Sequence, residues 1–281
     1  MTRSFPENPY ERIFSESDRP EIFRPGGFEL TRRALDFCAF PERSALLDLG
    51  CGTGATVALM RHEYRLEASG VDPLAGRIRA AGEDSPARFV HPGTGTEVPF
   101  PDDRFAGLFI ECGLSVMGNA DRVLAEANRV LVPEGLLVVS DLYLREGDRG
   151  DVNQAEGSEP AAGTKPDAEN GLRRGTGFPP GTCLGGAHPK ERFLEYIAAA
   201  GFSPLLWEDH TELLHRFLAE QIMKRGSFRA VIELLVPGIR GGACDPAPGD
   251  SGAPAVPGKV KFGYFLFIGR KEKRWNNCGI G

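Results

Sequence analysis

Leu46-Leu47-Asp48-Leu49-Gly50-Cys51-Gly52-Thr53-Gly54 is the stretch that decides the fold of this chain. A short apolar run over residues 44–49 is typical of a buried strand, and the glycines that follow stop it in a tight turn. Helical periodicity begins directly afterwards, over residues 55–64. Glycine lets the backbone approach a ligand closely, and the N-terminus of the next helix points at the same place. The stretch therefore predicts a strand–turn–helix unit that holds a nucleotide-like ligand.

Strand and helix patterns alternate along most of the remaining sequence. Apolar runs predict further strands at 67–71, 87–90, 105–110, 136–142, 203–208 and 260–269. Helical spacing of apolar residues predicts further helices at 28–40, 74–81, 119–131, 190–200 and 211–236, the last with a break at Gly226. Such alternation is typical of a doubly wound, mostly parallel sheet that is covered on both faces. We therefore expect an α/β fold.

Two polar segments interrupt this alternation. Residues 145–187 and 237–258 are rich in glycine and proline and poor in aromatic residues, which is typical of long loop insertions. We expect one domain over residues 1–281. Its parts are an N-terminal helical cap at 1–43, a cofactor-binding core at 44–144, a flexible insertion at 145–187, and the C-terminal half of the sheet at 188–281, with an inserted helix at 211–236 and a Gly/Pro-rich loop at 237–258.

Composition excludes several classes of function. The 281 residues include 33 basic and 39 acidic side chains, a net charge of −6, which argues against a general nucleic-acid binder. No apolar stretch has the roughly 20 residues that a membrane span needs, and the first residues are polar, so we expect a cytoplasmic protein without a membrane partner. The six cysteines form no CxxC pair, so we predict no metal site.

The glycine-rich turn by itself leaves the ligand open. Gly50, Gly52 and Ala55 still satisfy the spacing of a dinucleotide fingerprint, in which alanine is allowed at the last position. A nicotinamide or flavin cofactor therefore stays possible on this pattern alone. A phosphate-binding P-loop is excluded, because no Gly-Lys-Ser/Thr sequence follows the turn.

Four segments in the right order resemble a known family. The Asp-x-Gly-x-Gly-x-Gly pattern at 48–54 resembles motif I of class I S-adenosylmethionine-dependent methyltransferases, and Asp72 ends the second predicted strand as the ribose-binding acid of that family does. Residues 98–105 resemble the family segment before its fourth strand, and residues 126–135 resemble its E-x-x-R-V-L-K-P-G-G segment. These segments are typical of the methyltransferase type 11 branch. The resemblance implies a seven-stranded sheet with an antiparallel last strand.

The same resemblance implies S-adenosylmethionine as the cofactor and assigns roles within the site. Asp48 and the loop backbone would hold the methionine part, Asp72 the ribose hydroxyls, and Glu111 with Cys112 would face the methyl-donor pocket. Thr94 stands where the family often has an acid that binds the adenine amino group. The cofactor-binding residues that we predict are Asp48, Gly50, Cys51, Gly52, Gly54, Asp72, Pro73, Thr94, Gly95, Glu111 and Cys112.

The sequence also departs from the family pattern. Besides Thr94, Ala106 replaces an aspartate after a phenylalanine, and Glu134 replaces the first glycine of Pro-Gly-Gly. We predict no catalytic residue, because methyl transfer from a sulfonium is an in-line displacement in which the enzyme mainly supplies alignment. A general base is needed only where the acceptor carries a proton of high pKa.

The acceptor is predicted only as a class. Residues 110–115 lack the Asn/Asp-Pro-Pro-Tyr/Phe sequence of enzymes that methylate base or glutamine nitrogens, which together with the acidic charge favours a small-molecule acceptor. One alternative is arsenite methylation, because residues 183–187 resemble an element in which a cysteine, here Cys183, binds the metalloid. The others are a nicotinamide-dependent oxidoreductase and a catalytically silent accessory protein that binds the cofactor. The oligomeric state stays open.

Overall fold

The computed structural model describes residues 22–75, 86–145, 178, 181–236 and 261–273, which form one sheet with helices on both faces. The strands are β1 (Ala45–Leu49), β2 (Glu67–Asp72), β3 (Val90–Pro92), β4 (Phe105–Glu111), β5 (Leu131–Leu144), β6 (His188–Pro189), β7 (Phe202–Asp209) and β8 (Phe262–Lys271). The helices are α1 (Glu29–Cys38), α2 (Ala55–His62), α3 (Leu114–Met117), α4 (Ala120–Val130), α5 (Lys190–Ala199), α6 (Thr211–Arg225) and α7 (Phe228–Leu235).

The sheet is mostly parallel with an antiparallel last strand, as predicted. Its strand order is β3-β2-β1-β4-β5-β8-β7, and β8 runs antiparallel to both of its neighbours while the other pairs are parallel. The two-residue strand β6, which the sequence did not predict, pairs with the end of β5. The order reverses between β1 and β4, and parallel α/β sheets bind ligands in the crevice at such a reversal, beyond the carboxyl ends of the strands.

Alternate residues of the strands belong to two separate hydrophobic cores. Leu46 and Phe109 face a core that includes residues of α1, α2, α6 and α7. Leu47 and Leu108, their chain neighbours, face the other core, which α4 and α5 close. Because both faces are covered, the central strands are apolar at nearly every position, as the sequence indicated.

The break predicted at Gly226 is present, because Gly226 takes a left-handed backbone with φ of 84° and ends α6 before α7 begins. Two other predicted elements differ from the structure. The strand predicted at 87–90 is a 3₁₀ turn, Pro86–Phe89, followed by the short strand β3. Strand β5 begins five residues before its predicted start, and Glu134 within it has a φ of 65°, which explains a family glycine at this position.

Several predicted segments lie outside the described residues. These are positions 76–85 with most of the helix predicted at 74–81, residues 1–21 of the N-terminal cap, most of the 145–187 insertion and all of the 237–258 loop. In the part of the chain that is described, no helix is both long and apolar enough to cross a membrane.

A glycine of the 183–187 element packs against the helix that follows β4. A Cβ atom at Gly186 would lie 1.8 Å from the carbonyl oxygen of Ser115, so only glycine fits this backbone contact. Ser115 is itself fixed, because its N–H and hydroxyl donate to the buried Asp141 carboxylate at 2.9 and 2.7 Å. The glycine of this element therefore has a structural explanation.

Replacing Gly186 with alanine is expected to lower the free energy of unfolding by about 1–3 kcal/mol, because the added methyl group forces two backbone segments apart. Chemical denaturation measures the loss. Ala198→Ser is the control, since it also adds one atom but at an exposed position of α5. Equal stability of the Gly186→Ala protein and the wild type would contradict the contact.

Candidate functional site

The glycine-rich turn lies at the carboxyl end of β1 in the predicted crevice. Gly50, Gly52 and Gly54 all have left-handed backbones, with φ of 81°, 53° and 84°. The N–H groups of Gly50 and Cys51 donate to the Val71 carbonyl of β2 at 2.8 and 3.3 Å. The turn is thus tied to the neighbouring strand and delivers the chain directly into α2.

Asp72 is held against this turn. One carboxylate oxygen accepts the Gly52 N–H at 2.9 Å, and the other accepts the Leu74 N–H at 2.8 Å. Burial raises the pKa of Asp72, and these two hydrogen bonds oppose the rise. A carboxylate has about four acceptor positions, so the Asp72 oxygens retain capacity for further donors. Its predicted role toward ribose hydroxyls fits this arrangement and stays a prediction.

Cys51 is a packing residue of the turn. A Cβ atom at Gly70 would lie 2.4 Å from the Cys51 sulfur, so the thiol occupies the space that this glycine leaves. Burial raises the pKa of the Cys51 thiol, which favours the neutral form over the reactive thiolate.

Glu111 ends β4 in a buried ion pair that the sequence did not predict. Its Oε2 lies 2.8 Å from Nη1 of Arg24, and both side chains are largely shielded from solvent. The hydroxyls of Thr31 and Thr56 donate to the Glu111 oxygens at 2.7 and 3.1 Å. The Arg24 side chain also donates to the Gly27 carbonyl at 2.8 Å and lies within hydrogen-bond distance of both threonines. Four separate segments of chain thus meet at one carboxylate.

Asp48 is buried on β1 without a hydrogen-bonding partner among the described residues. It is 2% exposed, and no donor in that part of the chain contacts its carboxylate. Burial and the negative charge of Glu111 raise the pKa of Asp48 well above its usual value, although Arg24 opposes this. Because a buried polar group without a partner is costly, this carboxylate is suited to receive a donor, above all a cationic one.

Cys112 lies between β4 and α3, and its side chain contacts Tyr264 of β8. Its sulfur is 3.1 Å from the Tyr264 hydroxyl, which lies 3.3 Å from the Ser140 hydroxyl. The Cys112 backbone has a φ of 52°, and its N–H donates to the Ser140 carbonyl at 2.7 Å. Burial raises the pKa of the Cys112 thiol, so the neutral thiol is the favoured form.

The predicted adenine contacts lie on the loop after β3. Thr94 is exposed, and its hydroxyl is 3.3 Å from that of Thr96, while its backbone pairs with Glu97. Gly95 is buried, and Pro73, on the neighbouring β2 loop, is exposed. No contact in the described residues directs the Thr94 side chain toward the other predicted residues, so its role stays a prediction.

The sequence missed Arg24, Thr31 and Thr56. It placed Arg24 only within the N-terminal cap, whereas Gly26 and Gly27 have φ of 73° and 56° and turn the chain toward the site. The available signal was an arginine followed by the turn sequence Pro25-Gly26-Gly27. The partner of Arg24 is far away in the sequence, so no local pattern connects it with Glu111.

Comparison with known proteins agrees with this geometry. Residues 47–139 match the family model of a methyltransferase domain. A demethylmenaquinone methyltransferase of Clavibacter sepedonicus is 32% identical over 144 residues, which cover 47% of this chain and 56% of that protein. The O-methyltransferase cnsE of Penicillium expansum is 31% identical over 135 residues, which cover 46% of this chain and 49% of the relative. The chain thus matches about half the length of these relatives.

Solved structures share the fold over nearly the whole chain. Phosphoethanolamine N-methyltransferase 2 of Haemonchus contortus, in complex with S-adenosyl-L-methionine, superposes with a TM-score of 0.61 at 16% identity, covering 94% of this chain and 56% of that one. The cyclase SpnF superposes with a TM-score of 0.55 at 22% identity, covering 92% of this chain and 85% of that one. The predicted resemblance to class I S-adenosylmethionine-dependent methyltransferases is confirmed by the domain match and the fold.

Replacing Glu111 with glutamine is expected to destabilise the protein by about 3–5 kcal/mol, because it leaves the buried Arg24 cation without its carboxylate. Chemical denaturation measures the change. The matched control is Glu63→Gln, which removes a charge from a solvent-exposed pair with Arg32 and is expected to leave stability within experimental error. Equal effects of the two substitutions would show that the Glu111 pair is not important for stability.

Proposed function

We propose that this chain, whose residues 47–139 match a methyltransferase domain, transfers a methyl group from S-adenosylmethionine to a small-molecule acceptor. The observation that carries the proposal is the Asp48 carboxylate, which is buried beside the glycine turn and has no donor among the described residues. The ammonium group of the cofactor carries a positive charge and donates hydrogen bonds, so it can form a charge-assisted hydrogen bond with this carboxylate.

The charge around the turn also suits this cofactor. Asp48, Asp72 and Glu111 bring three carboxyl groups to the crevice, and Arg24 brings one guanidinium that is already paired with Glu111. A site with excess negative charge favours a ligand with a net positive charge, and S-adenosylmethionine carries a sulfonium in addition to its amino-acid charges.

Two further features of the turn suit other parts of the cofactor. The left-handed glycines let the turn backbone approach the methionine part, and Asp72 has acceptor positions left for ribose hydroxyls. When bound, the cofactor supplies an electrophilic methyl group for an in-line displacement, and the chain's task is to align it.

The acceptor is proposed as a small molecule. Two of the similar proteins are named for different acceptors, one a demethylmenaquinone methyltransferase and the other an O-methyltransferase. Quinones and phenols therefore belong in the first acceptor screen, in which transfer of a radiolabelled methyl group is the readout. A protein that binds the cofactor tightly but methylates no acceptor would favour the accessory alternative, and a cyclase with the same fold shows that fold does not determine the reaction.

The arsenite alternative depends on Cys183. This thiol is buried, and it lies close enough to Cys112 to contribute to the raised pKa of that residue. Within the described ranges, no group of three or more metal-ligating side chains is placed to hold a metal ion. Arsenite should also be included in the acceptor screen. Arsenite methylation by the wild type that is lost in a Cys183→Ser variant would favour this alternative.

Calorimetric titration with S-adenosylhomocysteine tests the proposal. We expect binding in the micromolar range, and an Asp48→Asn substitution is expected to weaken it by about tenfold or more, because the substitution removes a charge-assisted hydrogen bond. Asp121→Asn, which neutralises an exposed carboxylate on α4, is the control and should bind as the wild type does. Tight binding of NADH instead would overturn the proposal.

Binding is also expected to depend on pH in a defined direction. Because the pKa of Asp48 is raised, its carboxyl group is more readily protonated in the free protein than that of an ordinary aspartate, whereas a bound ammonium favours the ionised form. Affinity should therefore fall as the pH is lowered, and binding should release protons. Titrations in two buffers of different ionisation enthalpy measure the proton release, which Asp48→Asn should abolish. Net proton uptake would contradict the assignment.

A further inference from the structure

The turn between α6 and α7 exposes two large apolar side chains. Met223, near the end of α6, is 87% exposed, and Phe228, the first residue of α7, is 51% exposed. They are the two most exposed large hydrophobic residues in the part of the chain that the structure describes. Scattered apolar side chains are ordinary on a protein surface, but two of them on one turn favour contact with another apolar phase.

This turn projects from the body of the protein. Residues 223–229, the hairpin tip, are all exposed, and only Gly226 and Ser227 connect the two helices. The helices are anchored away from the tip, where Leu214 of α6 and Leu235 of α7 are buried in the hydrophobic core. The apolar side chains of the tip are therefore held out toward solvent by a firmly packed base.

The hairpin tip is also basic, although the chain as a whole is acidic. Lys224, Arg225 and Arg229 lie between or beside the two apolar residues, and positions 221–232 include no acidic side chain, whereas the chain has a net charge of −6. Arg229 forms a solvent-exposed ion pair with Glu233 at 3.0 Å, so part of its charge is balanced. Three basic side chains against one acidic partner leave the tip with a net positive charge.

Charge and shape favour an anionic lipid surface over a protein as the occupant of the tip. A stable protein interface uses about 20–30 residues on each side, far more than residues 223–229 supply. In a symmetric contact between two copies of this chain, the tip would face itself and its cations would repel each other. A lipid interface requires only a few apolar side chains flanked by basic residues, because anionic headgroups attract the cations while the apolar groups enter the acyl boundary.

We propose that the hairpin tip is a docking site for an anionic membrane surface, with Met223 and Phe228 inserted below the headgroups and Lys224 and Arg225 placed among them. The contact is peripheral and needs no membrane-spanning helix. It goes beyond the sequence prediction of no membrane partner, which depended on the lack of a long apolar stretch. The inference is independent of the proposed function, because no residue of the tip belongs to the predicted cofactor site.

Vesicle sedimentation tests the proposal. The protein should bind vesicles made of equal parts phosphatidylcholine and phosphatidylglycerol, and it should not bind vesicles of phosphatidylcholine alone. Combining Met223→Ser with Phe228→Ser should weaken binding by about tenfold or more, since full burial of one such side chain corresponds to at least that factor. The control is Phe37→Ser, which removes a 41%-exposed side chain from α1 and should leave binding unchanged. Equal binding by the wild type and the tip variant would overturn the proposal.

The basic residues of the tip are tested separately. Combining Lys224→Gln with Arg225→Gln should weaken binding to the anionic vesicles by about 25-fold, because each basic residue near an anionic surface contributes about fivefold. High salt should reduce binding of the wild type and narrow this difference. The control combines Arg65→Gln with Lys273→Gln, which removes two exposed cations elsewhere. Equal losses in the two double variants would indicate a general attraction between charges and overturn the assignment to the tip.

Fluorescence quenching tests whether the tip enters the lipid. Phe228→Trp adds one tryptophan to the two of the chain, and tryptophan is well suited to a membrane interface. Phosphatidylglycerol brominated on its acyl chains should quench the emission of this variant more strongly than that of the wild type. Vesicle binding without the additional quenching would overturn the proposal. So would self-association that the tip variants abolish in a protein that binds no vesicles, and this result would assign the tip to a contact between copies of the chain.

Discussion

The buried contact between Arg24 and Glu111 is the interaction on which the site depends. It joins the segment before α1 to the end of β4, and hydroxyls from α1 and α2 complete the shell around the carboxylate. Burying two charges costs more than their attraction returns unless other hydrogen bonds are made, and here two threonines and a backbone carbonyl make them. Since Arg24 is committed to Glu111, nearby Asp48 keeps an unpaired carboxylate, which is the feature that most directly favours a cationic ligand.

Most of the fold was predictable because the local sequence patterns of its strands and turns agree with the burial that the folded sheet imposes. The central strands are buried on both faces, so their apolar runs are continuous, and the glycines at 50–54 stop β1 where the left-handed backbone requires them. The predicted element bounds were wrong where contacts with residues far away in the sequence determine where a strand ends. The strand predicted at 260–269 continues to Lys271, which is 5% exposed and whose ammonium group contacts Asp103 and the Leu131 carbonyl at 2.7 and 2.6 Å.

The site residues likewise differ in whether a local sequence pattern can identify them. Asp48, the glycine turn and Asp72 lie within one strand–helix–strand unit, so a short motif together with the family resemblance identifies them, and the structure brings them together through the hydrogen bond between Gly52 and Asp72. Arg24 belongs to no such unit. Its partner Glu111 is far away in the sequence, and only the folded chain brings the two side chains together.

The residues proposed to hold the cofactor lie in the turn and at the ends of β1, β2 and β4, within the part of the chain that matches the family model. Helices α6 and α7 lie between β7 and β8, outside that match, and Leu213 of α6 packs against Gly26 in the segment that carries Arg24. A change in these helices can therefore reach the buried Arg24–Glu111 pair through the N-terminal segment, although both residues of the pair lie far from them in the sequence.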